Sequence, residues 1–216
     1  MPLGAFAAVA AQVAVSVSVI HGHGCCHDLK LTNLLSMGDN IVRLGDLGTA
    51  GASISHNLGI GTRGHMAPEQ CGGAPGSLRM AARVAWAELS EQLGVKHDYR
   101  PADVWALGVT WLSALLPDEQ VVEVIIAARG VVGGHRKRRS RSMPAPLARL
   151  PADLAELIWG GMLVPQRVFG KRRLTIEQVK AHTFFSGVDW RAVEAQEVPL
   201  PVDLRPQAAV AAIACV

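Results

Sequence analysis

Aromatic residues are scarce in this 216-residue chain, at 5%, with a single Tyr. Charge is thin as well: 18% of residues are Asp, Glu, Lys or Arg, and the formal net charge is only +3. A balance so small and dispersed argues against nucleic-acid binding as the main business of the chain. Cysteine is limited to Cys25, Cys26, Cys71 and Cys215, without framework spacing. No secretory signal accompanies them, so a reduced intracellular compartment, cytoplasmic or nuclear, without disulfides is expected. The longest apolar run, Ala5 to Ile20, has no basic residue before it and falls short of the about 18 to 20 residues that a membrane helix needs. A buried core helix is expected there, and no membrane association. What the sequence does have is 50% hydrophobic residues, enough to bury one substantial core, and a length that suits one domain with a tail.

Punctuation by Gly and Pro divides the rest. The Gly- and His-rich stretch from His21 to His27 ends the first helix. Leu34 to Leu35 and Ile41 to Leu44 flank the turn residues Gly38-Asp39-Asn40, which predicts a small antiparallel strand pair. Gly45 to Glu69 has no sustained period and reads as a long functional loop. Further helices are expected over Leu78 to Leu93, Pro101 to Leu116, Asp118 to Ala128, Pro151 to Leu163 and Thr175 to Ala181. Gly130 to Arg149 reads as irregular, and the segment from Val198 as a tail. The expected fold is therefore mainly α with one strand pair near the N-terminal end.

Asp28-Leu29-Lys30-Leu31-Thr32-Asn33 precedes the first strand, and Asp46-Leu47-Gly48 follows the second. A strand pair would bring these loops side by side. Phosphoryl transfer requires such parts: one carboxylate to orient and deprotonate a hydroxyl, a carboxylate and an amide oxygen for magnesium, and a cation near the transferred group. Asp28, then Asp46 with Asn33, then Lys30 supply them.

These segments resemble the catalytic loop and metal-binding Asp-Phe-Gly of eukaryotic protein kinases. Other pieces agree. Gly61-Thr62 followed by Ala67-Pro68-Glu69 is similar to the end of that family's activation segment. Asp103-Val104-Trp105-Ala106-Leu107-Gly108 resembles its central helix, and Arg173-Leu174-Thr175 with His182-Thr183-Phe184-Phe185 its closing region. The resemblance implies structural roles for Glu69, Asp103 and Arg173: Arg173 pairs with Glu69, and Asp103 braces the catalytic loop backbone. Asp28 and Lys30 become the catalytic residues, with Asn33 and Asp46 binding Mg2+ and, through it, ATP. Lys30 is the Ser/Thr-kinase pattern, which implies a Ser or Thr hydroxyl of a protein substrate as acceptor. The stretch from Phe184 to Trp190, then Val198 to Pro201, looks like the start of the tail of the group containing the cyclic-nucleotide-dependent kinases.

The sequence also departs from the family. Its His-Arg-Asp becomes Cys26-His27-Asp28, or His27 directly before Asp28 with the Arg deleted, and either way no Arg is present to receive an activating phosphate. Activation by phosphorylation at Thr49, Ser53, Ser55 or Thr62 is therefore not expected. Leu47 replaces Phe, and His65 stands where Tyr is usual. Gln70 to Tyr99 is longer than the usual connection and suggests an inserted helix. No Gly-rich phosphate loop, Val-Ala-Ile-Lys strand or Glu-bearing helix is found between Met1 and His27. The reading is thus a kinase C-terminal lobe over residues 1–190, its N-lobe β-sheet absent, with a tail over 191–216. The parts that cover ATP carry much of the electrostatic stabilisation, so this chain alone is expected to be weak, and a partner that supplies or replaces the N-lobe is implied.

Other motifs receive plainer readings. Gly59-Ile60-Gly61-Thr62-Arg63-Gly64 spells a phosphate-loop pattern without the required strand before it and helix after it. His21, His23, Cys25, Cys26 and His27 are zinc-ligand types, but their spacing cannot easily close a tetrahedron. The basic run Arg136 to Arg141 reads as a solvated loop, with a nuclear signal or acidic-partner patch as the alternative. Two functions stay open: a Ser/Thr protein kinase, or an inactive kinase fragment that serves as a protein-binding module.

Overall fold

The computed structural model describes residues 2–24, 28–36, 41–50, 61–70, 85, 92, 98, 100–132, 135–136, 142–165 and 173–198. The fold is mainly helical. The first helix, α1 (Leu3–Gly22), runs a little beyond the apolar stretch at both ends. Its length and composition would suffice to cross a membrane, yet Ala5, Phe6, Ala10, Val13, Ala14 and Val17 are buried against the rest of the fold. A short 3-10 turn (Leu31–Asn33) leads into β1 (Leu34–Ser36), which pairs antiparallel with β2 (Val42–Leu44). The register sets Leu34 opposite Leu44 and Ser36 opposite Val42. The turn residues 38–40 lie outside the described residues, as does the expected helix over 78–93 apart from Ala85 and Gln92, both helical.

Next come α2 (Arg100–Leu115) and α3 (Asp118–Arg129). Pro101 sits in the first turn of α2, where its missing N–H costs nothing. Gly130 ends α3 at φ 65, a left-handed cap that glycine adopts cheaply. A second strand pair, β3 (Val131–Val132) with β4 (His135–Arg136), falls in a region the sequence suggests is irregular, its strands too short for alternation to show. The helix α4 (Ala152–Glu156) continues as a π-helix over Leu157–Met162. Gly161 within it permits close approach of Leu174, because a Cβ there would lie 2.5 Å from Leu174 Cδ1. Short helices α5 (Ile176–Lys180) and α6 (Trp190–Glu194) close the described chain. Thr175 and Gln178 form a reciprocal capping box on α5, and the Asp189 carboxylate caps α6.

The few aromatics are concentrated. Phe6 of α1 meets Trp111 of α2 edge-on at 5.8 Å between ring centroids, and Trp111 meets Phe185 at 5.9 Å. Phe184 and Trp190 extend the cluster. Rings at such angles contribute beyond their buried area, so five aromatics tie the N-terminal helix to the last turns. Gln12 adds a polar clamp: its amide oxygen accepts from the Val42 N–H at 2.7 Å, and its nitrogen donates to the Val198 carbonyl at 2.7 Å. One buried side chain thus fixes the strand pair and the C-terminal segment to α1.

Candidate active site

The β1–β2 pair aligns the two loops that the sequence picks out. The Gly45 N–H donates to the Asn33 carbonyl at 2.7 Å, so the residues just outside each strand are tied together. Asn33 is buried, and its side-chain nitrogen donates to the Asp28 carbonyl at 2.8 Å, which leaves its amide oxygen as the acceptor end. Asp46 is exposed and holds a left-handed conformation, φ 53 and ψ 64, rare for a residue with a side chain. Such outliers concentrate where function over-determines geometry.

Asp28 is the most heavily bonded carboxylate of the pair. Lys30 Nζ stands 2.8 Å from its Oδ2, and the Thr62 hydroxyl donates to the same oxygen at 3.0 Å. The Thr62 N–H donates to Oδ1 at 2.9 Å, and Lys30 also reaches the Thr62 oxygen at 3.1 Å. Burial raises the Asp28 carboxyl, but the Lys30 hydrogen bond, the two bonds from Thr62 and the Lys30 charge outweigh it and hold the group below the ordinary aspartate value. Asp28 is therefore ionised near neutrality and oriented on three sides.

Thr62 is the residue that sequence reasoning placed in a motif without a contact. Gly61 delivers it at φ 122, a backbone conformation that residues with a side chain rarely adopt. With its hydroxyl engaged, Thr62 could be phosphorylated only by driving a dianion against Asp28. Ser53, Ser55 and His27 lie outside the described residues.

His65 is partly buried, and neither of its ring nitrogens has a hydrogen-bond partner. Burial lowers its pKa, opposed by the Asp28 charge and assisted by the charges of Lys30 and Arg129. It is a neutral imidazole at pH 7. Arg129, from the last turn of α3, donates to the Met66 carbonyl at 2.7 Å and to the Arg63 and Gly64 carbonyls at 3.3 and 3.4 Å.

Behind the site stand two further charged pairs. The Arg173 guanidinium forms a forked pair with Glu69, at 2.6 and 3.2 Å. It also donates to the carbonyls of Pro101 and Val164 and lies 5.1 Å above the Trp105 ring. Asp103, buried in the first turn of α2, accepts from His21 Nε2 at 2.8 Å. His21 belongs to α1 and is committed to this contact. Of the remaining zinc-ligand types, Cys25, Cys26 and His27 lie outside the described residues, as does most of the basic run after Arg136.

Comparison with known sequences gives these arrangements a family. The protein kinase domain family matches residues 2–185, and the chain belongs to that family. Its members are enzymes that use ATP, generally with Mg2+. The chain is 28% identical over 197 residues to the serine/threonine-protein kinase AtPK1/AtPK6 of Arabidopsis thaliana, covering 87% of this chain and 35% of that kinase. It is 24% identical over 197 residues to the serine/threonine-protein kinase MRCK alpha of Mus musculus, covering 88% of this chain and 10% of that one. A 111-residue stretch is 32% identical to the serine/threonine-protein kinase ksp1 of Schizosaccharomyces pombe, 48% of this chain and 20% of that protein. The chain thus spans about a third or less of the length of these kinases.

Proposed function

We propose that this chain carries the phosphoryl-transfer centre of a Ser/Thr protein kinase. The observation that carries the reading is the Asp28–Lys30–Thr62 arrangement: an ionised carboxylate held by a cation and by a hydroxyl-bearing loop, beside a turn that ends in Asn33. Asp28 Oδ2 is the acceptor for the proton of an incoming Ser or Thr hydroxyl. Lys30, already shared between Asp28 and Thr62, can turn its ammonium to the charge that develops on the transferred group.

The donors beside this centre suit magnesium. Asp46 offers an exposed carboxylate and Asn33 an amide oxygen, both hard oxygen ligands on neighbouring strand ends. Asp46 and Asn33 would hold magnesium there, and its charge would offset that of the phosphates of ATP. Asn33, through its bond to the Asp28 carbonyl, keeps that ligand in fixed relation to the base.

A second reading, a binding module that needs a covering partner, draws on the rim. Leu35 and Leu47 flank the site and are 45% and 56% exposed, an apolar pair that an N-lobe, in the same chain or supplied by a partner, would cover. Residues 1–190 form the lobe in both readings. Transfer of labelled γ-phosphate to Ser- and Thr-containing peptides distinguishes them. The kinase reading expects magnesium-dependent transfer that falls by at least ~100-fold in Asp28→Asn, the lower range for loss of a general base. Equal transfer by wild type and variant would leave only the binding-module reading.

A further inference from the structure

We propose that Arg129 is a positioning residue for phosphoryl transfer: from α3 it locks the 62–66 turn, and that turn holds the Asp28 carboxylate. The inference rests on the kinase reading for its purpose, though not for its test.

The turn is built like a plate with two faces. The N–H groups of His65 and Met66 both donate to the Thr62 carbonyl, at 2.8 and 3.1 Å, which closes the segment on itself. On one face the Thr62 N–H and hydroxyl point at Asp28. On the other, the carbonyls of Arg63, Gly64 and Met66 converge on one guanidinium nitrogen of Arg129. Charge-assisted bonds of this kind are stronger than neutral ones, and Met66, at 2.7 Å, is the anchor.

The His65 ring lies in the turn without a hydrogen bond from either nitrogen, so packing alone holds it. Gly61, at φ 122, supplies no side chain to fix the entry of the turn. Arg129 is thus the cation that opposes the carbonyl face while Asp28 occupies the amide face. A shift of Arg129 would reach Asp28 through Thr62.

The test is amide hydrogen exchange at Thr62, His65 and Met66, read by NMR in the full chain, for wild type, Arg129→Ala and Arg129→Lys. In Arg129→Ala the Thr62 amide should exchange with solvent about 10-fold faster, because the turn that aims it at Asp28 is no longer held, while amides in the middle of α2 keep their wild-type rates. Arg129→Lys keeps a cationic donor for the Met66 carbonyl and should restore most of the protection. Wild-type exchange at Thr62 in Arg129→Ala would overturn the proposal, and equally fast exchange in Arg129→Lys and Arg129→Ala would overturn it as well, since the donated bonds would then not be what holds the turn. If Arg129→Ala does not fold, Arg129→Gln, which removes the charge and shortens the reach, is read in its place with the same two outcomes. Turnover plays no part in the exchange, so loss of the kinase reading and loss of this proposal are told apart.

Discussion

Two sets of charges in this molecule differ in how completely they are satisfied. Around Arg173 each guanidinium nitrogen has a partner: Glu69, two backbone carbonyls and the face of Trp105 surround a side chain with no solvent exposure. Around Asp28 the bonds are equally short but the groups remain partly open, with Lys30 27% exposed and Asp46 free in solvent. The first set holds elements in place, joining the end of the 61–70 segment to α2 and to the residues before α5. On the proposed reading the second exchanges its partners for a substrate, so that saturation would mark the brace and residual accessibility the site.

That contrast is broken most severely at Arg173. Arg173→Met should destabilise the fold by about 3–5 kcal/mol, the range for breaking a buried ion pair and leaving its partner unpaired, as read from denaturant unfolding. An effect under ~1 kcal/mol would mean that the brace is ornamental. A milder cut is made with pH. His65 has a folded pKa below its ordinary 6.5, so above 6.5 its neutral state costs nothing. Below 6.5 the unfolded chain takes up the proton first, and stability falls until the pH reaches the folded value. His65→Leu should remove that decline in pH-dependent unfolding curves. Asp28 acts in a separate window: it contributes stability present above 3.8 and lost as the pH falls through its depressed folded value. The smallest effect is expected where the paired carboxylates are themselves exposed. Lys180 pairs with Glu177 and Glu194 and lies over Trp190, and Lys180→Met should change stability by no more than ~1 kcal/mol, detectable as a small shift in unfolding midpoint.

Much of the fold was legible because Gly and Pro punctuate it. Pro101, Pro117 and Gly130 bound α2 and α3 within a residue or two of where the sequence sets them. The strand pair followed from two short apolar pieces that flank the turn residues Gly38-Asp39-Asn40, and its register sets Leu34 opposite Leu44. The π-helix over Leu157–Met162 was not legible, and neither was the contact of its Gly161 with Leu174, which lies outside the helix and leaves no local signal. At the site, the loops containing Asp28 and Asp46 were readable as ordered motifs. The contacts of Thr62, His65 and Arg129 were not, because they join residues far apart in the chain and leave no periodic trace. His21 shows the same limit. In sequence it belongs to a His and Cys cluster, whereas in the fold it is the partner of Asp103.

The central claim, that Asn33 and Asp46 stand beside Asp28 as the magnesium and nucleotide side of a kinase site, is most directly tested by magnesium-dependent ATP binding to wild type and Asp46→Ala, measured calorimetrically. Binding that requires magnesium and is abolished by Asp46→Ala is the expected result, and binding that is indifferent to both, or absent from both proteins, would contradict the account.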